Sequence, residues 1–330
     1  MDRMRISNRV GGWVLAVLGC LLAAGVQAQQ AEGYPDKAIR MVVPWPAGGA
    51  ADAVGRAIAQ ALTAEIGQSV YVENIAGAGG NIGTRQFVRA APDGYTIFLA
   101  TSSTNAANPW LYKALGFEPI KDFTPVAAVA AIPSIMVVPA NSPFRSPQDV
   151  MKQARAEPGR LSYGSGGVGS SSHLAGELFK SVAKIDVAHI PYKGSGPAIV
   201  DVMGGQLAYM FDTGAVPYVQ GGKVRAIGVA SDKRMALFPE VPTFDEVGIP
   251  GVRMSAWYGV AAPAATSRQV VAKLNAAINR SLRSGVLTRR LAAIGAEGKG
   301  GTPEEFAAFW QAELQRYDGL VKLTGATLEQ

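Results

Sequence analysis

A glycine-rich turn between a buried strand and an amphipathic helix opens the folded part of this chain, and the device returns twice. Ile39-Arg40-Met41-Val42-Val43 is an apolar run that reads as a buried strand. It breaks into Pro44-Trp45-Pro46-Ala47-Gly48-Gly49, and Ala50 to Leu62 then reads as a helix with Val54, Ile58 and Leu62 on one face. Gly77-Ala78-Gly79-Gly80 and Gly164-Ser165-Gly166-Gly167 repeat the arrangement. The first amides of a helix have no internal partners and sit at the positive end of its macrodipole. Glycine leaves them open to an approaching group. Such junctions hold carboxylates and nucleotide phosphates alike, and many are only tight turns.

Strand and helix patterns alternate almost throughout, which sets the fold class as α/β. Val70–Asn74 and Tyr95–Leu99 read as further strands, the latter running into the polar cluster Thr101-Ser102-Ser103-Thr104-Asn105. Two long apolar stretches, Val126–Pro139 and Met254–Ala262, stand outside the rhythm and read as crossover strands into a second lobe and back. Between them lie a helix opened by Ser146-Pro147, the strand Leu161–Tyr163, the helix Ser171–Ser181, the strand Val187–Pro191 and the helix Pro197–Met203. The strands Leu207–Phe211 and Val224–Ala230 follow, and helices at 267–283, 287–294 and 303–323 close the chain. The expected division is a discontinuous first lobe, 29–131 with 254–330, and a second lobe, 132–253. Two such lobes imply a cleft between them and a hinge that closes it.

The N-terminus reads as an export signal: basic Arg3, Arg5 and Arg9, an apolar core from Trp13 to Ala24, and a Val26-Gln27-Ala28 cleavage site. Val17-Leu18-Gly19-Cys20 has the look of a lipoprotein box, but the apolar run continues past the cysteine, which favours soluble export over anchoring. Cys20 is the only cysteine, so the exported chain relies on ordinary burial rather than disulfides. The net charge of +6 is scattered, with no basic run, and argues against nucleic acid as a partner.

Catalytic candidates are few. There are two histidines, His173 at a helix start and His189 within a strand. No Gly-x-Ser-x-Gly elbow occurs. A serine amidase using Ser170–Ser172 with His173 is the alternative reading, though the lysine–serine context of such chemistry is missing. No His-Glu-x-x-His, mature cysteine or acidic calcium loop points to a metal, and no cofactor is expected. Gly164 to Gly169 matches Gly-x-Gly-x-x-Gly, but Asp186 precedes the next strand instead of ending it, so a dinucleotide is rejected. Uncharged polar residues gather where the turns should converge: Thr101, Ser102, Ser103, Asn105, Ser165, Ser170 and Ser195. Open α/β sheets bind ligands at these strand ends. Asp212 either orders the next turn or faces the cleft, Asp52 complements its helix dipole, and Trp45 is cleft wall or core.

Tyr34-Pro35, the turn 44–52, Glu73-Asn74 through Gly83, Ala91–Tyr95, Ser172–Glu177, Pro191–Pro197 and Phe211-Asp212 together resemble the substrate receptors of tripartite tricarboxylate transporters, often called Bug receptors. The likeness runs in order through the whole mature chain. It implies a two-lobed type II periplasmic-binding-protein-like fold and no enzymatic activity. In such receptors the turns here at Ala47-Gly48 and Gly79-Gly80-Asn81 hold a ligand carboxylate through main-chain amides. Residues 101–105 and 165–173 with Ser195 and Asp212 read the rest, and Trp45 walls the pocket. The implied ligand is a di- or tricarboxylate, an acidic amino acid or an aromatic acid. The implied partner is a membrane permease of one large and one small subunit, fed by a monomer in the periplasm. A ligand-sensing partner of a membrane signalling protein would use the same pocket. The chain departs from the usual pattern at Trp45, Ala47, Ile75-Ala76 and Thr213, changes that reshape a pocket more than they remove an anion site.

Overall fold

The structure is a computed structural model that describes residues 33–325. The expected export segment and Cys20 lie outside the described residues. Among those residues no helix is long and apolar enough to cross a membrane.

The first lobe begins with β1 (Ile39–Val43), α1 (Ala50–Ile66), β2 (Val70–Asn74), α2 (Asn81–Phe87) and β3 (Thr96–Thr101). β1 pairs in parallel with both β2 and β3. The polar cluster after β3 winds into a widened π-type turn, Ser103–Ala107, and the short helix α3 (Asn108–Leu111). The reason is local bonding: Asn105 Oδ1 accepts from the Thr101 amide at 3.0 Å, and Thr101 and Thr104 pair their hydroxyls at 2.9 Å. Apolar β4 (Phe123–Pro133) then joins this sheet, and β5 (Ile135–Pro139) starts the second sheet immediately after it. The stretch read as one crossover segment is thus two strands with Ser134 as the joint.

The second sheet takes α4 (Pro147–Ala156), β6 (Ser162–Ser165), α5 (Ser171–Ala183), β7 (Ala188–Pro191), α6 (Ser195–Met203), β8 (Tyr209–Asp212), α7 (Val216–Gln220) and β9 (Val224–Val229). Its strand order is β7-β6-β8-β5-β9. The chain returns through β10 (Ser255–Pro263), which lies antiparallel between β3 and β4. α8 (Arg268–Arg283), α9 (Val286–Ala293), the two-residue β11 (Glu297–Gly298) and α10 (Pro303–Thr324) complete the first lobe, whose sheet order is β11-β4-β10-β3-β1-β2.

Each sheet buries one face against its own helices. Val54, Ile58 and Leu62 of α1 pack with Leu274 and Ile278 of α8 over β1 and β10. Close approach is enforced by glycine: a Cβ on Gly55 of α1 would lie 2.7 Å from Val43 Cγ2. A second core, with Phe98, Phe123, Trp257 and Trp310 from the first lobe and Phe179, Tyr209, Phe211 and Phe244 from the second, runs beneath the junction and ties the lobes together.

Candidate functional site

The first turn is held by its own helix. Asp52 Oδ2 accepts the Gly48 amide and Arg56 Nε, each at 3.0 Å, while Oδ1 accepts Asn74 Nδ2 at 3.0 Å. Asn74 Nδ2 also reaches the Trp45 carbonyl at 3.0 Å, so β2 and α1 jointly fix the turn. Burial alone would raise the Asp52 carboxyl, but the bonds from Arg56, Gly48 and Asn74 outweigh it and hold it below the ordinary range. The Gly48 amide is therefore already engaged. The backbone that follows, Gly49, Ala50 and Ala51, lines a cavity of about 270 Å³ between the lobes.

That cavity is walled by helix starts. From the first lobe comes α1, whose N-cap Gly49 supplies no side-chain cap. From the second come α5, at Ser170–Ser172, and α6, at Gly194–Pro197, whose N-cap Gly194 is likewise uncapped by a side chain. Thr101, Ser102, Ser103, Thr213 and Tyr258 add hydroxyls, and Lys193 is the one charged side chain in the lining. Tyr258, from the first lobe, and Thr213, from the second, face this cavity together. Three positive helix ends facing one small volume, with no carboxylate on its wall, make it a receptacle for an anion.

Of the residues singled out from sequence, Trp45, Ala47, Gly48, Thr101, Ser102, Ser103, Ser170 and Ser195 line this cavity. Gly79 and Gly80 line an adjoining chamber of about 630 Å³ that shares Trp45, Pro46, Gly166, Lys193 and Gly194 with the first. The two turns therefore open onto one cleft, but through separate compartments, and Pro46 Cγ stands 3.4 Å from the Cβ position of Gly194 between them. The Gly80 amide bonds Gly77 O at 2.9 Å, and Asn81 is fully buried, its Oδ1 accepting from Asn108 Nδ2 at 2.7 Å. Asn81, Ser165, His173 and Asp212 do not line the cavity. Asp212 lies beneath it, its carboxyl raised by burial and opposed by bonds from Gly214, Ser195 and Thr213. Its place behind the lining leaves it beside Ser195 and the turn after β8 rather than on the cavity surface. Lys193, Thr213, Tyr258 and the amides of Ala50 and Ala51 were not singled out as site residues. Lys193 and Ala50-Ala51 lie inside the motifs 191–197 and 44–52, and Thr213 stands out as a departure from the family pattern, whereas Tyr258 carries no signal.

The serine–histidine constellation expected of a hydrolase does not form on the cavity. Ser170 Oγ donates to Gly167 O at 2.6 Å and meets Ser172 Oγ at 2.9 Å, while His173 Nδ1 accepts the Gly169 amide at 3.2 Å. The close serine–histidine pair is Ser165 Oγ with His189 Nε2 at 2.7 Å, and Ser165 is fully buried. Burial, with the other histidine and Lys180 adding for His189 and Lys180 alone for His173, pushes both imidazoles down to about 4. Among the described residues no group of three or more His, Cys, Asp or Glu side chains could hold a metal.

Residues 54–326 match the tripartite tricarboxylate transporter family receptor, TctC. The chain belongs to that family. TctC receptors are non-enzymatic solute-binding proteins, and the two-lobed architecture matches theirs. Protein BugT of Bordetella pertussis is 37% identical over 321 residues, covering 96% of this chain and 98% of its own. A solved R. palustris protein with adipate is 34% identical, with a TM-score of 0.86 over 89% of this chain and 100% of its own. MatC from Rhodopseudomonas palustris with bound malate is 33% identical, with a TM-score of 0.81 over 87% and 100%.

Proposed function

We propose that this TctC receptor is an exported, monomeric protein that captures a small organic carboxylate between its lobes and delivers it to a membrane permease of one large and one small subunit. The lobes of this reading are 29–131 with 254–330, and 132–253. The observation that carries it is the convergence of the α1, α5 and α6 N-termini on one cavity whose only charged side chain is Lys193. Backbone dipoles from both lobes can neutralise a carboxylate only when the lobes come together, so capture and closure are one event. A volume of about 270 Å³ lies just below the ~300–1,000 Å³ usual for ligand pockets and suits an acid of a few carbons. The adipate and malate held by two relatives are acids of this size. The ligand is bound by the Ala50–Ala51 amides, Thr101–Ser103, Ser170–Ser172, Ser195 and Lys193, with Trp45 as a flat wall.

A thermal-shift series with malate, adipate, citrate and benzoate tests this. A true ligand at about 100 times its Kd adds roughly 2.7 kcal/mol of stability. Absence of any shift, with turnover of an ester or amide instead, overturns the receptor reading. Capture of a sensor kinase in place of a permease from membranes would redirect the partner but keep the pocket.

A further inference from the structure

The Gly164–Gly169 loop supplies Gly166 to the cavity wall and meets the first lobe at Gly169, where an added Cβ would lie 2.3 Å from Leu111 Cδ1. With glycine at 164, 166, 167 and 169 it has little side-chain mass to hold its own shape, and Gly167 and Gly169 sit at φ +117 and +81. Its shape is imposed from below. His173 Nδ1 accepts the Gly169 amide at 3.2 Å, at one end. At the other, His189 Nε2 meets Ser165 Oγ at 2.7 Å, and that oxygen accepts the Gly167 amide at 3.1 Å. The two imidazoles stack at 4.3 Å; His189 lies on the Tyr163 ring at 4.8 Å, and Tyr163 on Tyr209 at 5.5 Å.

Accepting an amide hydrogen at Nδ1 puts the His173 proton on Nε2, and an imidazolium would set two N–H groups against each other. Of the charged neighbours Glu177 favours an imidazolium at His189, but burial, the His173 ring and Lys180 outweigh it. Glu177 of α5 is engaged by the Tyr163 hydroxyl at 2.7 Å and by Lys180 at 2.9 Å, Lys180 disfavours a second positive charge, and Tyr209 of β8 is buried beneath. Neither ring touches the cavity, so any effect on a ligand passes through the loop.

We propose that His173 and His189 form a neutral stacked clamp that positions the Gly164–Gly169 loop, presenting Gly166 to the ligand and Gly169 to the first lobe. The clamp's purpose rests on the receptor reading, but its mechanics can be tested with no ligand present. His173→Leu removes the acceptor at similar volume, and His173→Asn restores an acceptor at the Nδ1 position. His189→Phe keeps the stack without the bond, and His189→Gln restores a polar group near Nε2. In the unliganded protein, amide exchange at Gly169 in His173→Leu and at Gly167 in His189→Phe should quicken about tenfold, while Gly166, whose amide Ser172 Oγ accepts at 2.9 Å, and Val42 and Phe98 keep their rates. The Asn and Gln variants should return to within about threefold of wild type. Isothermal titration with malate and adipate at pH 7.5 should show Kd rising about tenfold in the same two variants and recovering in the same two rescues. Gly169 in His173→Leu and Gly167 in His189→Phe exchanging at wild-type rates overturn the clamp. So does a ring nitrogen spectrum of the wild-type protein with the His173 proton on Nδ1 at neutral pH, a measurement that needs no variant to fold. If the wild-type protein binds no carboxylate, the receptor reading falls while the exchange rates still decide the clamp.

Discussion

Asp52 shows how much a single side chain sets here. Its carboxylate gathers Gly48, Arg56 and Asn74, so the first glycine turn is shaped by an internal anion placed one step to the side of the cavity. Asp52→Ala leaves the Gly48 amide without its acceptor and the Asn74 side chain with the Trp45 carbonyl alone, and should cost about 1–3 kcal/mol in urea unfolding, with weaker carboxylate binding besides. Its folded pKa lies below the unfolded one, so this stabilisation is present above the unfolded pKa near 3.9 and is lost as pH falls through the folded value. The histidines act over a different window. Both are depressed to about 4 from an ordinary value near 6.5, so the unfolded chain takes up protons first and stability declines as pH falls from about 6.5 toward 4. Urea midpoints measured across that range should slope in wild type and flatten in a His173→Leu/His189→Phe double variant. The sequence placed Asp52 at a helix start, where a dipole role is the simplest reading. The partners at Gly48 and Asn74 come from a turn and a separate strand, and no local pattern announces them.

Among elements, α5 and α10 do the most to connect the cavity to the rest. α5 lies so close to β6 that a Cβ on Gly176 would stand 2.2 Å from the Tyr163 ring. Gly176→Ala should therefore destabilise the protein by about 1–3 kcal/mol in chemical unfolding, and it should disturb the His189–Tyr163 stack as well. α10 is capped by Thr302 and Glu305, a signature plain in the sequence. What its pattern did not show is its reach: Trp310 Nε1 donates to Asn105 O at 3.2 Å, and the Tyr317 hydroxyl donates to Met254 Sδ at 3.8 Å. Thr302→Ala, by contrast, should cost about 1 kcal/mol in unfolding and leave ligand affinity alone, because the cap stands apart from those contacts.

On the scale of the whole molecule, three segments meet at the junction of the lobes. Ser134 N donates to Met254 O, Ala230 N to Ser134 O, and Met254 N to Ala230 O, each at 2.9 Å. A small rotation about this knot would open the seam where Gly194 meets Pro46 and Gly169 meets Leu111. Ligand should therefore reduce the radius of gyration in solution scattering. Gly169→Leu, which places bulk in the seam on a left-handed backbone, should hold the lobes apart, enlarge that radius and weaken carboxylate binding while circular dichroism stays native. A variant as compact as wild type and equally tight would refute the seam.

The alternation of strand, glycine turn and helix, and the two apolar stretches that break it, were enough to specify an α/β molecule with two lobes. Those features are periodic, and periodicity is written locally. Which amides remain open was decided only in three dimensions. Gly48 is occupied by Asp52, Gly80 by Gly77, and the free helix starts of α1 and α6 come together because two sheets, far apart in the chain, close on the same space. The histidines make the same point: the strand position of His189 suggests packing and the helix start at His173 allows either a local bond or the cleft, and only the packed chain puts both beneath a glycine loop. Hydrogen-bond satisfaction is a property of the packed chain, so a sequence can nominate donors but only tertiary structure leaves them unspent.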